Sequence, residues 1–180
     1  MDQYKLKLIR KLKVKCSEVN QELETVESFY NQAAPLFCAE VSSYCEENNI
    51  KNPLDYIKDE KQKEEKEELS SDIKSVYRKI AIKTHPDKVG ADNKSINLYQ
   101  DATEAKKKSK IDKIISIAKD LKIDIYSFDY EEIKKIERSI ENTEVEIKKI
   151  TNSYPYVWFF SGAKKRAEII TGFTLKMCNS

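Results

Sequence analysis

The chain has 180 residues, and its 33 basic and 31 acidic side chains leave a net charge of only +2. That balance excludes a global field able to gather nucleic acid or an anionic membrane, so any basic surface has to be local. With 36% charged residues and only three glycines and four prolines, the composition suits long solvated helices better than a sheet protein, and the fold class expected is all-α.

Cys16, Cys38, Cys45 and Cys178 share no C-x-x-C spacing, and the single histidine, His85, is not near any of them in sequence. They read as free thiols rather than zinc ligands. There is no nucleophile paired with a base and no phosphate-cradling glycine loop, so the expectation is a protein without enzymatic chemistry, cofactor or metal. No apolar run reaches about 18 residues and no secretory leader is recognisable, which predicts no membrane span and a cytoplasmic setting, host cytoplasm if the source is viral.

In chain order, Ile9, Leu12, Cys16, Val19, Leu23, Val26, Tyr30, Ala33 and Phe37 recur at alternating spacings of three and four, which predicts a coiled-coil-like helix. Pro35 should either kink it or begin a second helix carrying Phe37, Val41, Tyr44 and Cys45 on one side. Asn48-Asn49 and Asn52-Pro53 then end this first segment, residues 1–50, in a loop. The run from Lys58 to Glu68 mixes both charges and suits either a solvated helix or a linker.

From Asp72 the spacing of Ile73, Val76, Tyr77, Ile80, Ala81 and Thr84 marks one face of an amphipathic helix. Ser70 or Ser71 can cap its start, and Pro86 should stop it at about Thr84, leaving His-Pro-Asp on a stiff turn. Lys74, Arg78, Lys79 and Lys83 spread over the remaining arc, so the outward side is cationic.

The run DIKSVYRKIAIKTHPDK resembles helix II and the HPD turn of the J-domain, the docking module of DnaJ-type cochaperones. The likeness extends over about residues 69 to 105 within an expected module of 51–121. It implies that His85, Pro86 and Asp87, followed by Lys88, trigger ATP hydrolysis on a DnaK-type (heat-shock 70) chaperone. It further implies that Lys74, Tyr77, Arg78, Lys79 and Lys83 dock on that partner. Thr84 stands where the family usually has an aromatic. The helix III signature is represented by Tyr99, Glu104 and Ala105, with Lys106 in place of its closing tyrosine. The nearest counterpart of helix I is Asp55-Tyr56-Ile57, without the glycine turn.

Past an exposed loop at Val89 to Asn93, a helix with Ser95, Leu98, Tyr99, Ala102 and Ala105 inward should return antiparallel. Ser109 to Asp112 suggests a capping box for a helix bearing the apolar stripe Ile111, Ile114, Ile115, Ala118 and Leu121. The lysines between residues 106 and 113 read as a solvated face, so no nucleic-acid partner is expected.

In residues 122–180, Ile123 to Tyr126 read as extended and Ser127 or Asp129 as a cap. Ile133, Ile136, Ile140, Thr143, Ile147, Ile150 and Tyr154 then form a second heptad seam. Pairing the two seams as an antiparallel coiled coil or small bundle would bury both, with homodimerisation as the competing arrangement. The aromatic cluster Tyr154, Tyr156, Trp158, Phe159 and Phe160 should pack against these helices. A tail of this kind is loosely similar to those following J-like modules in small viral and phage proteins. The functional expectation is a cochaperone whose flanking helices choose an unidentified client or location. The alternative is a helical assembly protein that uses the hairpin as a scaffold.

Overall fold

The computed structural model describes residues 3–56, 68–89, 92–125 and 128–178. Most of the mixed-charge run from Lys58, the loop at Gly90-Ala91, the Tyr126-Ser127 connection, Ile57 of the helix I counterpart and the side chain of Cys178 lie outside these residues. Among the described residues every regular element is helical, so the protein is all-α. The α-helices are α1 (Gln3–Glu47), α2 (Ser71–Thr84), α3 (Pro86–Val89), α4 (Asn93–Lys107), α5 (Ile111–Asp120), α6 (Tyr130–Thr151), α7 (Tyr154–Phe159) and α8 (Ala163–Cys178). A 3-10 turn covers Pro53–Tyr56.

The chain divides into two compact units, Met1–Glu22 with Glu64–Val145, and Leu23–Lys63 with Glu146–Ser180. The long helices α1 and α6 each supply residues to both. Pro35 lies inside α1, which runs unbroken from Gln3 to Glu47; of the two alternatives expected there, a kink or a second helix, the second helix does not form. Pro35 is exposed while Ala33 and Phe37 on either side are buried, and their burial offsets the missing amide hydrogen, which costs about 3 kcal/mol in a helix interior.

In the first unit α5 is the central helix. Ile111, Ile114, Ile115, Ile117 and Ala118 are buried on nearly all its sides. Around it are packed Ile9, Leu12, Cys16 and Val19 of α1, Ile73, Val76 and Ile80 of α2, Ala102 and Ala105 of α4, and Ile133, Ile136 and Ile140 of α6. Ile123, Ile125 and Phe128 join this core from the connection between α5 and α6. Each buried isoleucine, leucine, valine or phenylalanine among them contributes about 1.5 to 3 kcal/mol by leaving water. The two seams do meet here, but not head to tail: the Lys5 ammonium lies 6.0 Å from the Tyr130 ring centre and Lys15 pairs with Glu144 at 2.8 Å. Residue numbers rise together along both helices, so α1 and α6 run parallel, which corrects the antiparallel expectation. The intervening helices, rather than a short turn, connect them, so nothing in the connection imposes reversal.

A charge sits inside this core. Asp112 is fully buried. Its Oδ1 accepts from Ser139 Oγ at 2.6 Å, and its Oδ2 accepts from Thr143 Oγ1 at 2.8 Å and from Asn20 Nδ2 at 2.9 Å. Donors from α1 and α6 thus replace the water the carboxylate lost, which makes its burial tolerable. The expected capping box at Ser109 is therefore absent: the α5 N-cap is Lys110 with no side-chain bond. Ser109 instead takes a left-handed conformation, φ 54°, and closes α4 as Lys110 N–H reaches the Ala105 carbonyl at 2.9 Å. Asp129 does cap α6, accepting from Glu132 N–H at 2.8 Å.

The second unit has an aromatic centre. Phe37 of α1 meets Trp158 of α7 and Phe173 of α8 edge to face, at 5.9 and 5.2 Å between ring centres. Val41, Cys45 and Ile170 complete this cluster. Leu23 and Val26 of α1 pack with Ile147 of α6 in a smaller one. Arg166 of α8 stacks over the Trp158 ring at 4.7 Å and donates to the carbonyls of Trp158 and Phe159, satisfying groups that the end of α7 leaves free. The aromatic tail is thus buried through Trp158, while Phe160 and Tyr154, exposed on one side, meet Phe29 of α1 and Phe173 of α8 edge to face at 5.3 and 5.1 Å.

Candidate docking surface

The helix that leads into the HPD residues is specified at both ends. Ser70 Oγ accepts from Ile73 N–H at 3.3 Å and donates to Glu132 Oε2 at 2.8 Å, so it caps α2 and ties its start to α6. Ile73, Val76, Ile80 and Thr84 are buried; Thr84, with its hydroxyl donating to the Ile80 carbonyl at 2.9 Å, is the last helical residue. His85 then turns to an extended conformation, φ −62° and ψ 131°, as a residue before proline should. Pro86 opens the single turn α3, where its missing N–H costs nothing.

His85 is held on two sides. Its ring is 5.3 Å from that of Tyr99 on α4, edge to face, and its Nδ1 accepts from Asp87 N–H at 3.3 Å. The Asp87 carboxylate oxygen Oδ2 lies 3.5 Å from the same nitrogen. The side chains are 43% exposed for His85 and 87% for Asp87, so both are open to an outside surface. Pro86 is half-buried, and Lys88 is exposed.

The four cations of α2 do not form one face. Tyr77 hydroxyl lies 3.3 Å from Thr103 Oγ1 of α4, and Lys74 and Arg78, one turn apart, flank Tyr77 on that side. Lys79 and Lys83 are also one turn apart but on the opposite side, where Lys83 Nζ donates to the Leu121 carbonyl beyond α5 at 3.0 Å. Lys74 pairs with Glu68 at 2.8 Å; that hydrogen bond, then the ammonium charge, holds the Glu68 carboxyl below the usual carboxylate range. Arg78 and Lys79 are exposed and have no ion pair among the described residues.

Tyr77 and Arg78 thus lie about two helical turns before the HPD residues, with α4 antiparallel to α2 through Tyr77–Thr103 and His85–Tyr99. Two members of this surface were not among the expected docking residues. Tyr99, noticed only as a helix III position, supports His85. Lys106, read as part of a solvated lysine run, places its ammonium 4.5 Å from the Tyr77 ring centre. Their sequence signal was faint: Thr103 precedes Lys106 by three residues, which puts both on one side of a helix, but the contact with Tyr77 is tertiary.

Comparison with family models, curated proteins and solved structures returns no match to this chain. No helix among the described residues is long and apolar enough to cross a membrane.

Proposed function

We propose that this protein is a J-domain-type cochaperone that docks on a DnaK-type chaperone and stimulates its ATP hydrolysis, while the remaining helices select a client or location. The observation that carries this reading is the ordered run DIKSVYRKIAIKTHPDK on a capped helix that ends at Thr84, followed by exposed His85 and Asp87. A cationic flank steers an acidic partner quickly and with salt sensitivity, and a fixed turn adds a few oriented contacts. The protein itself turns nothing over; its chemistry is to stabilise the hydrolysing state of another protein.

Single-turnover ATP hydrolysis by a DnaK-type chaperone tests this, with the wild type and with His85→Gln, both shown to be folded by circular dichroism. Stimulation by the wild type alone is the expected result; equal rates for the two, or no stimulation with the chaperone of the native source or host, would sink the reading. The 45 residues of α1 favour a second reading, a helical assembly protein with the α2–α4 pair as a scaffold, which predicts that His85→Gln and Asp87→Asn are both harmless.

A further inference from the structure

We infer that the docking surface extends from α2 onto the last turn of α4, with Lys106 as a docking cation for the same acidic protein partner. This rests on the cochaperone reading above. Thr103, which meets the Tyr77 hydroxyl, is followed three and four residues later by Lys106 and Lys107, so both lysines lie on the same side of α4. Lys106 Nζ stands over the Tyr77 ring, between the two helices, and both lysines are exposed.

Charge compensation separates these lysines from their neighbours. Lys74 is neutralised by Glu68, Lys108 by Glu104 at 2.7 Å, and Lys83 is bound to a carbonyl on the far side of α2. Arg78 and Lys106 have no ion pair among the described residues; Lys107 has none either but lies in the field of the Glu104 carboxylate. Lysines in the last turn of any helix gain from its dipole, but that does not account for an ammonium laid against the tyrosine of the docking helix. Together the three make a cationic patch spanning two helices, and its complement is an acidic protein surface.

The experiment measures chaperone ATPase against concentration of the full chain for wild type, Lys106→Glu, Lys106→Arg, His85→Gln and, as a control for net charge, Lys149→Glu on α6. Lys106→Glu should raise the half-stimulating concentration about ten-fold at low salt with the maximal rate unchanged, the shift shrinking as salt is added, while Lys106→Arg and Lys149→Glu stay within about two-fold of wild type. Should Lys106→Glu misfold, neutral Lys106→Gln supplies the same test, with a shift of about three-fold. Coincident curves for Lys106→Glu and wild type overturn the inference while leaving the cochaperone reading intact, as does an equal shift for Lys149→Glu. Loss of duplex-DNA binding in Lys106→Glu with unchanged ATPase curves overturns it in favour of nucleic acid. If the wild type does not stimulate, or His85→Gln stimulates equally, the cochaperone reading fails and this inference with it.

Discussion

His85 and Tyr99 meet edge to face across the α2–α4 pair, their ring centres 5.3 Å apart. The contact restrains the imidazole from α4 while Asp87 N–H restrains it from the turn. Replacing Tyr99 by Leu removes an aromatic pairing at a half-exposed ring, so stability should fall by only about 0.5 kcal/mol. The histidine, however, should sample more rotamers. Its ring resonances should broaden or move toward random-coil positions in NMR spectra, and ATPase stimulation should drop several-fold if the cochaperone reading holds. Tyr99→Phe should behave as wild type in both measurements.

Buried Asp112 makes a second prediction. Thr143→Val deletes one hydroxyl donor to the carboxylate and should destabilise by about 1.5 to 3 kcal/mol, the range for hydrogen bonds to charged groups. Asp112→Ala removes the acceptor of Thr143 and one partner each of Ser139 and Asn20, which keep the Asp112 N–H and the Cys16 carbonyl, so it should cost about 3 kcal/mol. Urea unfolding followed by circular dichroism checks both; a Thr143→Val midpoint equal to wild type would show that the network is not holding the charge.

Cys16 lies against the same network. Burial first, and the Asp112 charge second, push its thiol well above the ordinary range. Because the folded-state value is raised, the neutral thiol contributes stability that is complete below the unfolded value and fades as pH rises above it, from about pH 8.5. Stability measured from pH 7 to 10 should therefore fall at the alkaline end, and less steeply in Cys16→Ala. A thiol reagent at pH 8 should modify exposed Cys38 quickly and spare buried Cys16 and Cys45 until the protein unfolds.

Three helices end on left-handed residues that are not glycine: Asn49 after α1, Ser109 after α4 and Lys122 after α5, with φ between 52° and 54°. In each case the following N–H reaches back to close the helix, as Ile50 does to Cys45 and Ile123 to Ala118. Glycine adopts this conformation without the Cβ clash, so Ser109→Gly and Lys122→Gly should each stabilise by about 0.5 to 1 kcal/mol. Thermal unfolding reads the gain; a lowered midpoint would mean that the lost side chain had been contributing more than the relieved strain.

These helix ends also explain what could and could not be read from the sequence. α2 was legible throughout, because Ser70, the apolar spacing and Pro86 act within a few residues of one another. The stop at Ser109 was not, since without a glycine its S-K-I-D pattern resembles a start; the carboxylate expected to cap α5 is instead turned inward by partners 27 and 31 residues away. Periodicity located both seams yet carried no information on their relative direction, which depends on everything between them. The same spacing of cations on α2 concealed that α4 takes one side and the Leu121 carbonyl the other. Pro35 read as a break because proline's local cost is visible in sequence, whereas the Phe37 contacts that override it belong to residues more than a hundred positions later.

Neither compact unit is a continuous stretch of chain, since α1 and α6 each serve both. During synthesis Ile9, Leu12, Cys16 and Val19 precede Ile133, Ile136 and Ile140 by more than a hundred residues, so the core they share stays incomplete until α6 has left the ribosome. The first unit therefore closes only once α6 has been made, and until then the α1 stripe lacks part of its apolar cover. A fragment cut at residues 51–121 would lack both of these layers; activity assays belong on the full chain.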